Sequence, residues 1–539
     1  MTTHRISGHL VDLHQQRIVD GTLVVEDGRI AAIEEHPVED GPYVLPGFVD
    51  AHIHIESSMM PPTSFAQLAV RFGTVATVSD PHEIANVLGA PGVEYMLDSA
   101  RQVPLKFHFG CPSCVPATGF ETAGAVLDAA EVEKLLARDE IGYLSELMNY
   151  PGVLFGDEEV LRKIAAAKAL GKPVDGHAPG LRGDDAKRYI EAGITTDHEC
   201  FTLPEAQDKL RYGMKIIIRE GSAARNYEAL KSLLETDPER CMLCSDDKHP
   251  DDLLEGHINA LVRRAVSDGF PLFNVLRAAC VHPVEHYGLP VGLLRVGDSA
   301  DFVLVDNLQD FNCRQTWIDG VCVYDAPEVN FAWTPPETPN HFDCQTKGPE
   351  AFAMRDEPRY REVIVAVDRQ IVTQREHCEL TAVDGLLHAD PAADLLKLAV
   401  VNRYQNAEPG LALIKNFGLK RGAIASTVAH DSHNIIAVGT SDAMVAKAVN
   451  AMASARGGVC YVDDATEAVL PLPIAGLMSD LRPEEIAEGY ARIDRLAKEA
   501  GSALAAPFMT LSFMALLVIP TLKLSDKGLF DGEKFAFVE

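Results

Sequence analysis

The sequence is short of positive charge. It has 48 Lys and Arg against 79 Asp and Glu, which leaves a formal net charge of −31 at pH 7. Nucleic acids and anionic membrane surfaces are themselves negative, so both would repel this chain. We therefore expect no nucleic acid and no membrane as a partner, whereas a small neutral substrate is compatible with the charge.

Long hydrophobic runs are also missing. The first residues, MTTHRISGHL, lack the apolar segment of a secretory signal peptide. The most apolar late run, Phe508 to Leu522, contains Pro520 and is too short for a transmembrane helix, so we predict that it is buried core. The Gly457-Gly458 pair is not followed by the Lys-Ser/Thr of a phosphate-binding loop.

The cysteines do not form a disulfide pattern. There are 11 of them, an odd number, scattered through 539 residues. Scattered cysteines in a large chain are typical of a reduced intracellular protein. We therefore expect a cytoplasmic location. The hydrophobic content of 47% fits a globular protein with a large core.

Both flanks of a long middle segment look like short strands and turns. Glu26-Asp27-Gly28 separates two β-branched runs and predicts a hairpin. A similar pattern of short strands and turns occurs in Gly292–Asp306 and Thr316–Val323. These patterns predict one small β-sandwich domain built from both flanks, residues 1–45 and 286–335.

The middle of the chain alternates strand-like and helix-like segments about eight times. This alternation predicts an α/β fold in which residues 46–285 form a (β/α)8 TIM-like barrel. Pro335, Pro336 and Pro339 then mark a linker. Residues 340–539 are predicted to form a separate C-terminal α/β domain.

The segment Pro46 to Met60, PGFVDAHIHIESSMM, contains the strongest chemical signal. His52 and His54 are two residues apart in a predicted strand, so their side chains point to the same side. Paired imidazoles at a strand end suit a divalent metal. The plain alternative is that one or both are surface histidines.

Further histidines and acids follow at later strand ends. In a parallel barrel these ends meet at the face that carries the chemistry. A metal there lowers the pKa of bound water from about 15.7 to about 7, and a nearby carboxylate can accept the proton. The predicted set is His52, His54, Glu146, His177, His198 and Asp246.

The whole chain resembles the adenine deaminases of the amidohydrolase superfamily. In the barrel the resemblance rests on PGFVDAHIHIESSMM together with SDPHEIANVLG (Ser79 to Gly89), SCVPA (Ser113 to Ala117), MNYPGV (Met148 to Val153), DGHAPGL (Asp175 to Leu181), IREGSAARN (Ile218 to Asn226) and CMLCSDD (Cys241 to Asp247). Beyond the barrel it rests on HDSHN (His430 to Asn434), LPLPIAGLMS (Leu470 to Ser479) and PFMTLSF (Pro507 to Phe513).

This resemblance implies hydrolytic deamination of adenine to hypoxanthine and ammonia at a centre of two divalent metals. Manganese is the expected metal, with iron or zinc as alternatives. The six strand-end residues would be the ligands, and Asp246 would also accept the proton. Asp247 replaces Asp246 if the register is shifted by one. Many superfamily members bridge their metals with a carbamylated Lys on the fourth strand. This chain has Glu146 near that place and no nearby Lys, so Glu146 would take the bridging role or shuttle protons.

Other roles are less determined by the pattern. Glu83, His82 and Glu146 are candidates to protonate the purine ring, and the sequence does not choose among them. The seventh strand ends in Arg219, Glu220 and Ser222. These side chains either bind the edge of the purine or form a salt-bridged rim of the barrel. Arg219 and Ser222 are our predicted substrate contacts. We expect the chain to act as a homo-oligomer.

Two rival functions stay open at this point. A cyclic amide hydrolase of the dihydroorotase or hydantoinase kind would use the same barrel, although the missing fourth-strand Lys speaks against it. A barrel that has lost catalysis would act as a scaffold, although no expected ligand is missing.

Three further signals are weaker. Cys111-x-x-Cys114 and Cys241-x-x-Cys244 resemble zinc pairs, but residues three apart on a strand face opposite sides. His54-x-Glu56 followed by Cys111-x-x-Cys114 imitates a cytidine-deaminase zinc signature, but Gly110 stands where that motif needs Pro. His430 and His433 are either a second metal or substrate contact or part of a polar turn.

Overall fold

The computed structural model describes residues 3–539. Strands from the two flanks of the middle segment share one eight-stranded sheet, which confirms the predicted small β-domain. The hairpin at Asp27-Gly28 is present, and both residues have positive φ. In spatial order the strands are Glu328–Val329, Val321–Asp325, Cys313–Ile318, Phe302–Val305, Tyr43–Pro46, Thr3–Asp12, Arg17–Glu26 and Arg29–Glu35.

This sheet bends around a core of its own. Leu23, Val44, Phe302 and Trp317, which come from both flanks, are buried in a single apolar cluster. The amide of Gly320 donates to Ala300 and the amide of Ala300 donates to Gly28, so the far ends of the sheet approach each other. Burial of this shared face holds the two flanks together.

Between the flanks, eight parallel strands alternate with helices. The strands are Phe48–Ile53, Thr74–Ser79, Lys106–Cys111, Ile141–Leu147, Val174–Gly176, Thr196–Asp197, Lys215–Arg219 and Cys241–Cys244. The α-helices around them are Pro62–Ala69, His82–Leu88, Ala90–Ala100, Ala129–Leu136, Tyr150–Phe155, Glu158–Ala169, Gly183–Glu191, Leu203–Arg211, Tyr227–Leu230, Leu233–Thr236, Pro250–Glu255, Ile258–Ser267, Leu272–Leu276 and His282–Tyr287.

The strands close into a barrel. The first five form one hydrogen-bonded sheet and the last three form another. The amide of Thr195 donates to Val174 (2.8 Å), which joins the two sheets at one side. At the other side the amide of Asp246 donates to His52 (3.0 Å), and Ile53 pairs with Asp246 in parallel. The predicted (β/α)8 fold class is therefore confirmed.

The C-terminal domain contains a second eight-stranded sheet. Its order is Thr373–His377, Glu362–Ala366, Gly410–Lys415, Leu396–Val401, Ile435–Gly439, Ala423–Ser426, Gly458–Val462 and Glu467–Pro471. Its helices are Asp442–Ala455, Pro483–Glu499 and Pro507–Phe513, and its small strands are Met354–Arg355 with Leu386–Leu387 and Leu522–Ser525 with Gly528–Asp531 and Ala536–Phe537.

Two strand predictions in this domain were wrong, because the runs Val363 to Val372 and Ala423 to Val438 are each divided. The second run forms the strands Ala423–Ser426 and Ile435–Gly439. The β-branched pattern of Val363 to Val372 suggests a single strand, but the strand ends at Ala366 and the next begins at Thr373. Arg369 between them has a φ of 60°, which is turn geometry. The apolar run at Phe508 to Leu522 is buried core, as expected. The boundaries of the three domains stay predictions.

The C-terminal domain lies on the barrel face where the strands end. The amide of Ser479 donates to Met59 (2.9 Å), and the side chain of Asn434 donates to Thr122 (2.9 Å). Tyr490 meets His249 at 2.6 Å between oxygen and nitrogen. No helix in residues 3–539 is both long enough and apolar enough to cross a lipid bilayer.

Candidate metal centre

The six predicted ligands come together at the carboxyl ends of five barrel strands. His52 belongs to the first strand, and His54 follows it directly. Glu146 lies near the end of the fourth strand. His177 and His198 directly follow the very short fifth and sixth strands, and Asp246 comes two residues after the eighth. All six side chains are buried.

Glu146 occupies the middle of this cluster. One carboxylate oxygen lies 2.8 Å from His177 Nδ1 and 3.0 Å from His198 Nε2. The other lies 3.5 Å from His54 Nε2. Burial would raise the pKa of Glu146, but the adjoining imidazoles of His177, His198 and His54 outweigh it and hold the pKa well below its usual value. The carboxylate is therefore ionised.

Asp246 faces the first-strand histidines from the other side. Its Oδ1 lies 3.3 Å from His54 Nε2 and 3.8 Å from His52 Nε2. Arg219 forms an ion pair with the second oxygen of Asp246. Burial opposes ionisation of Asp246, but Arg219 and His54 outweigh it, so the pKa of Asp246 stays well below its usual value.

The arrangement fits divalent cations. His52 Nε2 and His54 Nε2 are only 3.2 Å apart, and each also faces Glu146 and Asp246. Ligand atoms around one cation with bonds near 2.1 Å stand about 3.0 to 3.4 Å apart, so these separations are close to those of a coordination shell. Burial lowers the pKa of His52 well below its usual value, whereas the neighbouring carboxylates outweigh burial and raise the pKa values of His54, His177 and His198. A cation bound by these imidazoles would have to displace their protons.

Arg219 and Glu199 form an ion pair with each other next to the six candidate ligands. Arg219 is 3% exposed, forms an ion pair with Asp246 and donates to Glu199 Oε2 (2.8 Å). Glu199 Oε1 in turn lies 3.6 Å from both His177 Nδ1 and His198 Nε2. Sequence reasoning missed Glu199, although its position directly after His198 was a usable signal.

The end of the second strand adds another group. His82 Nδ1 lies 3.2 Å from Asp80 and 3.6 Å from Glu146. The Ser57 hydroxyl lies 2.9 Å from Glu83 and 2.6 Å from Asp247, and its single proton can be donated to only one of them. Burial and the neighbouring acids Glu56 and Asp247 raise the pKa of Glu83 well above its usual value, so its carboxyl is neutral. Asp247 therefore belongs to this group, whereas Asp246 faces the histidines.

Not every predicted residue lies at the centre. Arg219 lines the central cavity, but Ser222 does not. The Ser222 hydroxyl donates to Asp252 and accepts from the amide of His249 (2.8 Å). Glu220 pairs with Arg264 (2.7 Å) and so is part of a rim. Burial raises the pKa of the Cys241 thiol to about 12, which keeps it protonated and unsuited to zinc.

The C-terminal domain also reaches the cavity. His430 and Asp431 lie on the loop between Ala423–Ser426 and Ile435–Gly439. They line the same small cavity as the barrel residues, together with apolar side chains from the C-terminal domain: Ile371, Phe513 and Leu516. The motifs that contain His430, Asp431 and Phe513 were visible in the sequence, but their contact with the barrel was not.

Comparison with known proteins agrees with this arrangement. The model of the amidohydrolase family matches residues 43–323, and the model of the adenine deaminase C-terminal domain matches residues 370–536. An adenine deaminase from Sulfurovum sp. (strain NBC37-1) is 56% identical over 535 residues, which cover 99% of each chain.

Two other relatives are similar over the same extent. Adenine deaminases from Salinibacter ruber and Methanosarcina barkeri are 55% and 51% identical, and each match covers 99% of this chain and 98% of the relative. The sequence identity is high over the full length of these relatives. The two family models match the barrel and the second sheet of the structure. The chain belongs to the adenine deaminase family of amidohydrolases.

Proposed function

We propose that this chain hydrolyses adenine to hypoxanthine and ammonia at a centre of two divalent metals. The observation that carries the proposal is the Glu146 carboxylate, which is surrounded by imidazoles and faces Asp246 across His54. Full-length similarity to proteins named adenine deaminase supports the choice of substrate.

The donor set determines what the centre can hold. Imidazole and carboxylate together suit manganese, and also iron or zinc; manganese is our first choice. When bound, the two cations would polarise the attacking water and lower its pKa from about 15.7 towards about 7. The residues that would hold them are His52, His54, His177, His198, Glu146 and Asp246.

Asp246 is the proposed proton carrier. It accepts a proton from water as the new C–O bond forms at C6 of adenine. It then gives that proton to the exocyclic amino group as the bond from C6 to that nitrogen breaks and ammonia leaves. The second water proton, left on the new oxygen, returns to the group that protonated the ring. Arg219 holds one oxygen of Asp246, which leaves the oxygen near His54 free for this transfer.

A ring nitrogen must gain a proton when water adds to C6. Of the three candidates, His82 is the best placed, because it lines the cavity and its Nε2 has no hydrogen-bond partner in the described part of the chain. Glu146 lines the cavity as well but faces the histidines. Glu83 is not among the residues that line the cavity. We therefore propose that its neutral carboxyl stores a proton and is not the direct donor to the ring.

The test is metal-dependent ammonia release. Chelated enzyme should regain activity with two equivalents of Mn²⁺ per chain, and each adenine consumed should give one ammonia and one hypoxanthine. A parallel series with Fe²⁺ and Zn²⁺ identifies the preferred metal. Turnover of hydantoin or dihydroorotate without turnover of adenine would favour a cyclic amide hydrolase, and failure to bind metal would favour a scaffold.

We further propose a cytoplasmic, homo-oligomeric enzyme of purine metabolism with no nucleic-acid or membrane partner. All 11 cysteines are free thiols, and seven of them are buried, which suits a reducing compartment. Light scattering of the purified chain measures the oligomeric state, and cell fractionation measures the location.

A further inference from the structure

The central cavity is nearly closed by the C-terminal domain. Its free volume is about 20 Å³, which holds little more than one water molecule. One wall is made by the barrel residues and the other by His430, Asp431 and Phe513. Adenine can occupy this cavity only if the C-terminal wall moves, and that wall will then contact the part of the purine that faces away from the metals.

This wall carries polar atoms that have no partner. Asp431 is 2% exposed and His430 is 3% exposed. Asp431 Oδ2 and His430 Nε2 make no hydrogen bond with any described residue. A buried polar atom without a partner is destabilising, so a ligand that supplies the missing partner gains binding energy here. These atoms are available to a substrate without breaking an existing bond.

The spacing suits a purine. His82 lies between the two sides of the cavity, with Nδ1 3.6 Å from Glu146 and Nε2 3.5 Å from Asp431. The His82 ring therefore lies between Asp431 and the Glu146 carboxylate and contacts both. A purine whose C6 faces the metals would lie beside the His82 ring and direct its five-membered ring towards Asp431.

The neighbouring side chains form a flat apolar surface. The rings of His430 and Phe513 are stacked, with centroids 5.2 Å apart and planes at 24°. Ile371 and Leu516 complete this side of the cavity. Aromatic and aliphatic side chains of this kind pack well against a heteroaromatic base.

We propose that Asp431 accepts a hydrogen bond from the N–H of the purine's five-membered ring and is therefore the residue that distinguishes a free base from one substituted at that nitrogen. The inference rests on the proposed function, because it takes C6 of the base to face the metals. A nucleoside carries ribose in place of that hydrogen and would leave Asp431 Oδ2 buried without a partner. A site built around such a bond rejects ligands that lack it by large factors.

The first test uses the unaltered Mn²⁺-loaded enzyme. Its Kd is measured by calorimetry for hypoxanthine and for 9-methyladenine, which has no N–H on its five-membered ring. The affinity for adenine is taken from KM if the enzyme turns adenine over, and from calorimetry if it does not. We expect 9-methyladenine to bind about 100-fold more weakly than adenine. Equal affinity for adenine and 9-methyladenine overturns the inference.

The second test separates the lost hydrogen bond from the bulk of the methyl group. Asp431→Leu keeps a side chain of similar size but has no acceptor, so we expect adenine binding to weaken by about tenfold or more while 9-methyladenine binding stays the same. Asp431→Asn provides a milder variant. If the ratio of the two Kd values is unchanged in both, Asp431 does not read the N–H. Asp480→Leu, at an exposed position of the same domain, is the matched control.

These results are separable from the proposed function. If the unaltered enzyme releases no ammonia from adenine yet binds it far more tightly than 9-methyladenine, the reaction is wrong and the recognition stands. If it deaminates adenine but binds both ligands equally, the reaction stands and the role of Asp431 is wrong.

Discussion

At the scale of single residues, Glu146 has the most contacts with other candidate ligands. Nitrogen atoms of His52, His54, His177 and His198 lie within 3.9 Å of its carboxylate. The proposed ligands could be predicted because each lies within two residues of the end of a strand, where the alternation of side chains determines direction. Glu199 could not be found in this way, because its role depends on Arg219, which comes from another strand.

We predict that Glu146→Gln lowers the metal content. The amide is neutral and places an N–H₂ group among the imidazoles, so it repels a cation that the carboxylate attracts. We expect bound Mn²⁺ to fall below two equivalents per chain and ammonia release to fall by about a hundredfold or more. Elemental analysis after dialysis measures the first effect. Glu158→Gln, exposed at the start of a helix, is the control, and full metal content in Glu146→Gln would exclude the bridging role.

At the scale of elements, the short fifth and sixth strands place two ligands. Val174–Gly176 and Thr196–Asp197 have only three and two residues, yet they bring His177 and His198 to Glu146. Gly176 lets these strands approach, because a Cβ atom added there would lie 2.4 Å from the carbonyl oxygen of Thr196. The sequence predicted strands at both places but gave no sign of this close contact.

We predict that Gly176→Ala separates these strands and weakens the metal centre. The clash is with backbone, which cannot rotate away, so the free energy of unfolding should fall by about 1–3 kcal/mol. Denaturant unfolding measures this loss, and titration with Mn²⁺ should show weaker binding because His177 moves with the strand. Gly119→Ala is the control, since a Cβ atom there meets nothing within 4 Å. Unchanged stability and Mn²⁺ affinity would show that the contact is not needed.

At the scale of the whole molecule, the C-terminal domain acts as a wall of the barrel site. Glu121 lies at this interface, where burial and the nearby acids Asp431 and Asp526 raise its pKa to about 8. The hydroxyl of Thr118 donates to it (3.2 Å). The folded chain therefore holds a proton on Glu121 that the unfolded chain releases near its usual pKa of 4.5.

We predict that Glu121→Gln stabilises the protein at alkaline pH. Because the folded pKa is raised, the stabilising effect of the neutral carboxyl is complete below about pH 4.5 and is lost as the pH rises through about 8. Gln cannot ionise, so the variant should exceed the parent by about 2 kcal/mol or more at pH 8.5 and by little at pH 5. Unfolding curves at both pH values measure the difference. Glu408→Gln, at an exposed position, should show none, and a pH-independent difference for Glu121→Gln would contradict the argument.

The sequence by itself determined the barrel, the small β-domain and the strand-end positions of the six proposed ligands. The physical reason is that alternation along the chain reports which side chains are buried and which point the same way, and parallel strands bring their ends to one face. Only the tertiary structure decided that Ser222 faces Asp252, that Glu199 supports the cluster, and that Asp431 closes it. Those contacts join residues far apart in the chain, and local pattern carries no information about how a second domain packs on the first.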